Sequence, residues 1–102
     1  MKNFRTYQLA VEFYRQCKKV EVREPIKNQF ERATLSIVLN IAEGTGRTTP
    51  KDKRKFYAIS MGSLREVQCI LELIERPDLI SQSQHLAASL YKLLQNPGGS
   101  YF

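Results

Sequence analysis

Between Arg47 and Lys55 the chain places five cations, Arg47, Lys51, Lys53, Arg54 and Lys55, around a single carboxylate, Asp52. Lys and Arg at this density contact phosphates and release counterions from a polyanion, so the chemistry on offer is attraction to RNA or DNA with little sequence preference. Tyr57 follows closely and presents a ring that either stacks on a base or sits half-buried on the bundle surface. The competing reading of the cluster is a solvated face, because Lys and Arg are mostly exposed in any protein. Cations in a first helical turn oppose the helix macrodipole, which argues that something other than helix stability selects them.

A second polar set lies upstream. Ser36, Asn40 and Glu43 fall at i, i+4 and i+7, and Arg32 and Arg47 extend the same stripe. Nearly every other position from Ala33 to Ala42 is apolar, so this helix needs covering on several sides. Acid–base catalysis or metal binding requires a second group beside Glu43, and no Glu-x-x-His or comparable ligand spacing occurs. The stripe therefore reads as structural, with Asn40 and Glu43 hydrogen-bonding across the bundle or a subunit interface and Arg32 or Arg47 as charge partners. Gly44 and Gly46 read as a helix stop. Gly62-Ser63, near Ala58 and Ser60, forms a small-residue stretch in mid-helix; glycine there costs about 1 kcal/mol against alanine, so a close helix approach is expected.

Other chemistry is thinly represented. Gly44-Thr45-Gly46 follows a helix rather than a strand and lacks the P-loop lysine spacing. His85 is the single histidine and reads as a helix-surface residue. Cys17 and Cys69 sit in apolar helical patterns and read as buried free thiols. No metal, cofactor or enzymatic activity is expected.

The positioning elements are helical throughout. Asn3 can cap a first helix whose face is marked by Phe4, Tyr7, Val11, Tyr14 and Cys17 and widened by Ala10, Phe13 and Val20. Pro25 opens a second helix running to about Gly44. Thr49-Pro50-Lys51-Asp52 combines a cap, a proline in the first turn and the acidic member of a capping box, which makes it the sharpest helix start in the chain. That third helix runs to about Glu75, with Phe56, Ile59, Ser63, Val67, Ile70 and Ile74 on one face, and Pro77 ends it. A fourth begins between Asp78 and Ser83 and carries Leu86, Leu90, Leu93 and Leu94 up to Asn96-Pro97-Gly98-Gly99. Short loops between helices of similar length predict an all-α, antiparallel up-down-up-down four-helix bundle over residues 1–96, with 97–102 as a flexible tail.

The 102 residues suffice for one domain with a real core. The formal charge of +6 is uneven: residues 1–55 hold thirteen Lys and Arg against six Asp and Glu, whereas 56–102 hold three against four. The basic surplus thus belongs to the first half, where the cation cluster lies. No apolar run of signal-peptide or membrane-spanning length occurs, so a cytoplasmic protein without membrane contact is expected.

Gln29, Arg32-Ala33, Ser36-Ile37, Asn40-Ile41-Ala42-Glu43-Gly44 and Gly46-Arg47 together resemble the signature of the bacterial four-helix-bundle proteins encoded by intervening sequences of large-subunit ribosomal RNA genes. A second block, Phe56, Ala58, Gly62-Ser63-Leu64 and Glu66, is similar to that family's third helix, and Leu9-Ala10-Val11-Glu12 with Phe13-Tyr14 fits its first more loosely. The two main blocks cover residues 26–71. Many relatives carry proline and a small polar residue where this chain has Val38 and Leu39, so its second helix should be straighter and more apolar. Its fourth helix matches nothing distinctive.

The resemblance implies a left-handed bundle that assembles as a ring, often a pentamer. The family in turn resembles accessory proteins of diversity-generating retroelements, which bind nucleic acid and a reverse transcriptase. Two expectations follow. The first is a homo-oligomer that binds RNA or DNA through the basic patch, with Arg32, Ser36, Asn40, Glu43, Gly44, Gly62 and Ser63 serving structure and assembly. The second is a module that docks a protein partner such as a reverse transcriptase, with Tyr101-Phe102 as a handle.

Overall fold

The computed structural model describes residues 4–98. They form α1 (Arg5–Lys18), α2 (Ile26–Gly46), α3 (Pro50–Leu73) and α4 (Pro77–Gln95), with no strand among the described residues. Each helix packs on its neighbours in chain order and α4 closes back on α1, which makes a four-helix bundle. Contacts between helices run in opposite directions along their partners. Gln29 meets Glu66, Ser36 meets Ser63, and Gly44 lies against Tyr57 as α2 is followed forward and α3 backward. Gln68 pairs with Ser83 and Arg54 with Leu94 between α3 and α4, while α1 and α4 are joined by Thr6 and Ser89.

Helix ends follow local chemistry, with some departures from expectation. The Thr49 hydroxyl accepts from the Asp52 backbone N–H at 3.2 Å, and Pro50 occupies the first turn of α3 as its sequence predicts. Helix α1 starts after Phe4, which supplies no side-chain cap; the expected cap Asn3 lies outside the described residues. Pro77 opens α4 rather than merely ending α3, so the fourth helix begins earlier than expected. The stop of α3 is instead made by Glu75, whose φ of 59° lets its N–H bond Glu72 and the Arg76 N–H reach back to Leu71. This 6→1 and 5→2 pair is a Schellman motif with glutamate in the left-handed position.

The core stripe of α1 is Thr6, Ala10, Phe13 and Cys17, and on α4 it is Leu79, Ser83, Leu86, Leu90 and Leu93. On α3 the buried set is Tyr57, Ser60, Leu64, Val67, Ile70 and Leu71. The expected face holds at Val67 and Ile70, but in the first half of the helix it is displaced by one position: Ile59 is exposed, Phe56 and Ser63 are half-buried, and Tyr57, Ser60 and Leu64 take the core. Two neighbouring apolar stripes compete on this helix. The inward one is fixed by Ser60, small enough for close packing, whose hydroxyl donates to the Ile37 carbonyl at 2.8 Å. Cys17 is buried as expected, but Cys69 is exposed, on the flank of α3 that no helix covers. Pro97, assigned to the tail by sequence, is buried against the bundle end, and residues 99–102 lie outside the described residues.

Candidate nucleic-acid interface

The antiparallel arrangement gathers the C-termini of α2 and α4 and the N-terminus of α3 at one end of the bundle, where the five cations also stand. They do not form a uniform patch. The Lys53 ammonium donates to the carbonyls of Thr45 at 3.0 Å and Gly44 at 3.4 Å, and the Arg54 Nε donates to the Leu94 carbonyl at 3.1 Å. Both therefore donate to carbonyls in the last turns of neighbouring helices, where the macrodipole favours positive charge. The cations that oppose the dipole of their own helix thus complement those of α2 and α4. Helix stability is a sufficient reason for these two, contrary to the sequence expectation.

The remaining three are presented to solvent. Arg47 pairs with Glu43 at 2.9 Å, one turn earlier, and its guanidinium lies 4.5 Å from the centroid of the Phe56 ring. Lys55 stands over the same ring at 5.9 Å, and Lys51 is exposed without an ion-pair partner among the described residues. Phe56 is thus flanked by two cations, an arrangement whose attraction comes from the ring quadrupole. Of the two readings of Tyr57, a base-stacking ring or a half-buried ring on the bundle, the structure is nearer the second. Tyr57 is only 1% exposed, its ring inserted against α2 and its phenol pushed above its ordinary pKa by burial. The signal for Phe56 was its spacing from Arg47, which becomes informative only when α2 and α3 are paired.

The polar stripe of α2 lies along α3. Ser36 and Ser63 share a 2.8 Å hydrogen bond between the helices, whereas Asn40 turns back on its own helix, donating to the Ser36 carbonyl at 2.9 Å and hydroxyl at 3.0 Å. Glu43 is held by Arg47, and Arg32 is exposed. One direct hydrogen bond therefore crosses the helix pair at the centre of the stripe, with Asn40 supporting its Ser36 end.

The glycines act differently from the helix stops read in sequence. Helix α2 continues through Gly44 to Gly46, and neither adopts positive φ. Gly44 is needed for space: a Cβ built on it falls 2.6 Å from Cε1 of Tyr57. Gly62, expected at a close helix approach, is exposed, and a Cβ there meets nothing within 4 Å.

A family model described as 23S rRNA-intervening sequence protein matches residues 3–96. The match extends beyond the central signature to all four helices, including the fourth, whose sequence alone carried no resemblance. No curated protein and no solved structure matches the chain.

Proposed function

The chain belongs to the 23S rRNA-intervening sequence protein family, and on that premise we propose that it is a non-enzymatic, self-associating bundle that binds RNA or DNA end-on. The observation that carries this reading is the division of labour at the basic end. Lys53 and Arg54 are engaged by helix carbonyls, while Lys51 and Lys55 face solvent without an ion-pair partner among the described residues and Arg47, over Phe56, can exchange its exposed pair with Glu43 for a phosphate. Recognition is of the backbone rather than of base sequence.

Self-association draws on Leu35, Leu39 and Ile59, which remain 43%, 55% and 44% exposed on the α2–α3 hairpin. Leu35 and Leu39 belong to the apolar run whose covering the sequence demands, and the bundle leaves them open beside Ile59. A closed ring would repeat the basic end in each subunit and strengthen weak phosphate contacts by multivalency.

The test is a titration of fluorescent single-stranded RNA and DNA at several salt concentrations. Binding should weaken linearly in log salt, and Arg47→Gln/Lys51→Gln/Lys55→Gln together should reduce the slope by roughly 2 for a single strand. Absence of binding at low salt, or a slope indifferent to these three charges, overturns the reading. Light scattering that shows only an 11.8 kDa species at micromolar concentration removes the self-association.

A further inference from the structure

An open cavity of about 650 Å³ lies at the opposite end of the bundle, where α1 gives way to α2. Its cause is a mismatch of lengths. Helix α1 has 14 residues and α2 has 21, so the chain from Lys19 to Pro25 crosses to α2 without filling the space between them. Buried Phe30 and Cys17 belong to its lining, and Tyr14, Val20 and Val22 form partly buried apolar walls. The volume falls within the range of small-molecule sites, roughly 300–1,000 Å³.

The rim is cationic in origin from three separate segments. Lys18 closes α1, Arg23 belongs to the connection and Lys27 sits in the first turn of α2. None of them is ion-paired, since the ion pairs among the described residues are Arg47–Glu43 and Arg76–Asp78, although the Lys18 ammonium lies 5.7 Å from the centroid of the Tyr14 ring. Glu21 and Glu31 also line the cavity and leave a cationic excess. The start of α2 adds to it, having no acidic residue in its first turn and no side-chain cap.

We propose that this cavity binds a small anion with an aromatic body, its carboxylate or phosphate held by Arg23 and Lys27 and its ring against Tyr14 and Phe30. The partly buried apolar side chains on one side of the open cavity cover the ring, and the cations on its rim attract the head group. The site is separate from the basic end and does not depend on nucleic-acid binding.

The probes are naphthoate and naphthyl phosphate, with naphthyl methanol as the uncharged control and inorganic phosphate as the control without a ring. Amide NMR of the full chain should show saturable shifts centred on Cys17, Val22, Phe30 and Thr34. The methanol should bind at least about tenfold more weakly than the better anion, a factor expected from one charge-assisted hydrogen bond. Arg23→Gln/Lys27→Gln should weaken that anion by at least about tenfold, Val22→Trp should abolish its binding by filling the space, and Lys51→Gln/Lys55→Gln should leave it unchanged. The tighter of the two anions identifies the head group. No saturable shift with either anion, equal binding of the alcohol, equal binding of inorganic phosphate, or shifts centred on the basic end overturns the proposal.

Discussion

The ring of Tyr57 occupies the space that a side chain at residue 44 would need: a Cβ built on Gly44 comes within 2.6 Å of Cε1 and 2.9 Å of Cδ1. This contact locks α2 to α3 beside the basic end, and it explains a glycine in a helix that continues past it.

Gly44→Ala should therefore destabilise the protein by about 1–2 kcal/mol, the overpacking cost exceeding the roughly 1 kcal/mol gained in helix propensity. Gly62→Ala meets open space and should stabilise the isolated chain by about 0.5–1 kcal/mol. Denaturant unfolding of both variants checks the contrast. Combining Gly44→Ala with Tyr57→Leu should cost less than the sum of the two single changes, because the smaller side chain removes the clash.

Glu75 holds a left-handed φ of 59° to close the Schellman turn between α3 and α4. Glycine takes that conformation without the Cβ penalty, so Glu75→Gly should raise stability by about 0.5–1 kcal/mol. Thermal unfolding at a fixed protein concentration reads this directly, and an unchanged or lower Tm contradicts it.

The cations of the basic end should separate into two classes when replaced singly. Lys53→Gln and Arg54→Gln remove contacts to the carbonyls of α2 and α4 and should each lower stability by about 0.5–1 kcal/mol. Lys51→Gln should leave stability within about 0.5 kcal/mol while reducing the salt slope of nucleic-acid binding by roughly 0.7 for a single strand. Paired unfolding curves and salt titrations would expose a uniform patch, if that were the correct description, as equal behaviour of all three.

Burial pushes the Cys17 thiol from 9.0 up to about 12, with Arg76 opposing the shift weakly. The folded state thus keeps a proton that the unfolded chain releases, and the resulting stability is complete below pH 9 and declines as pH rises from there toward 12. The slope from this group approaches about 1.4 kcal/mol per pH unit within that window. The unfolding free energy should accordingly fall more steeply with pH above 9 in the native chain than in Cys17→Ala. Under native conditions, alkylation should mark exposed Cys69 well before Cys17.

Much of the fold was legible because its punctuation is local. Thr49-Pro50 announces α3, and the leucines at three- and four-residue spacing announce the buried face of α4. What escaped depends on residues far apart in sequence. Two stripes on α3 satisfy the same periodicity, and Ile37 and Gly44 on another helix decide between them through Ser60 and Tyr57. The concentration of cations was visible, but the engagement of Arg54 by a carbonyl 40 residues later was not. Phe56 acquires its two cations in the same way, through the α2–α3 turn. The cavity was hidden because it arises from the early end of α1, which the apolar pattern continues past to Val20 and Val22.

The antiparallel register also makes the molecule an electric dipole along its 40 Å axis. Residues 43–55 with Lys92 carry six Lys and Arg against two Asp and Glu at one end, whereas residues 18–31 and 72–78 carry five against six at the other. A polyanion approaching from beyond contact distance exerts a torque that turns the basic end forward before any phosphate is touched. Orientation is then selected during diffusion, and with a screening length of about 8 Å at physiological ionic strength that steering fades as salt is added.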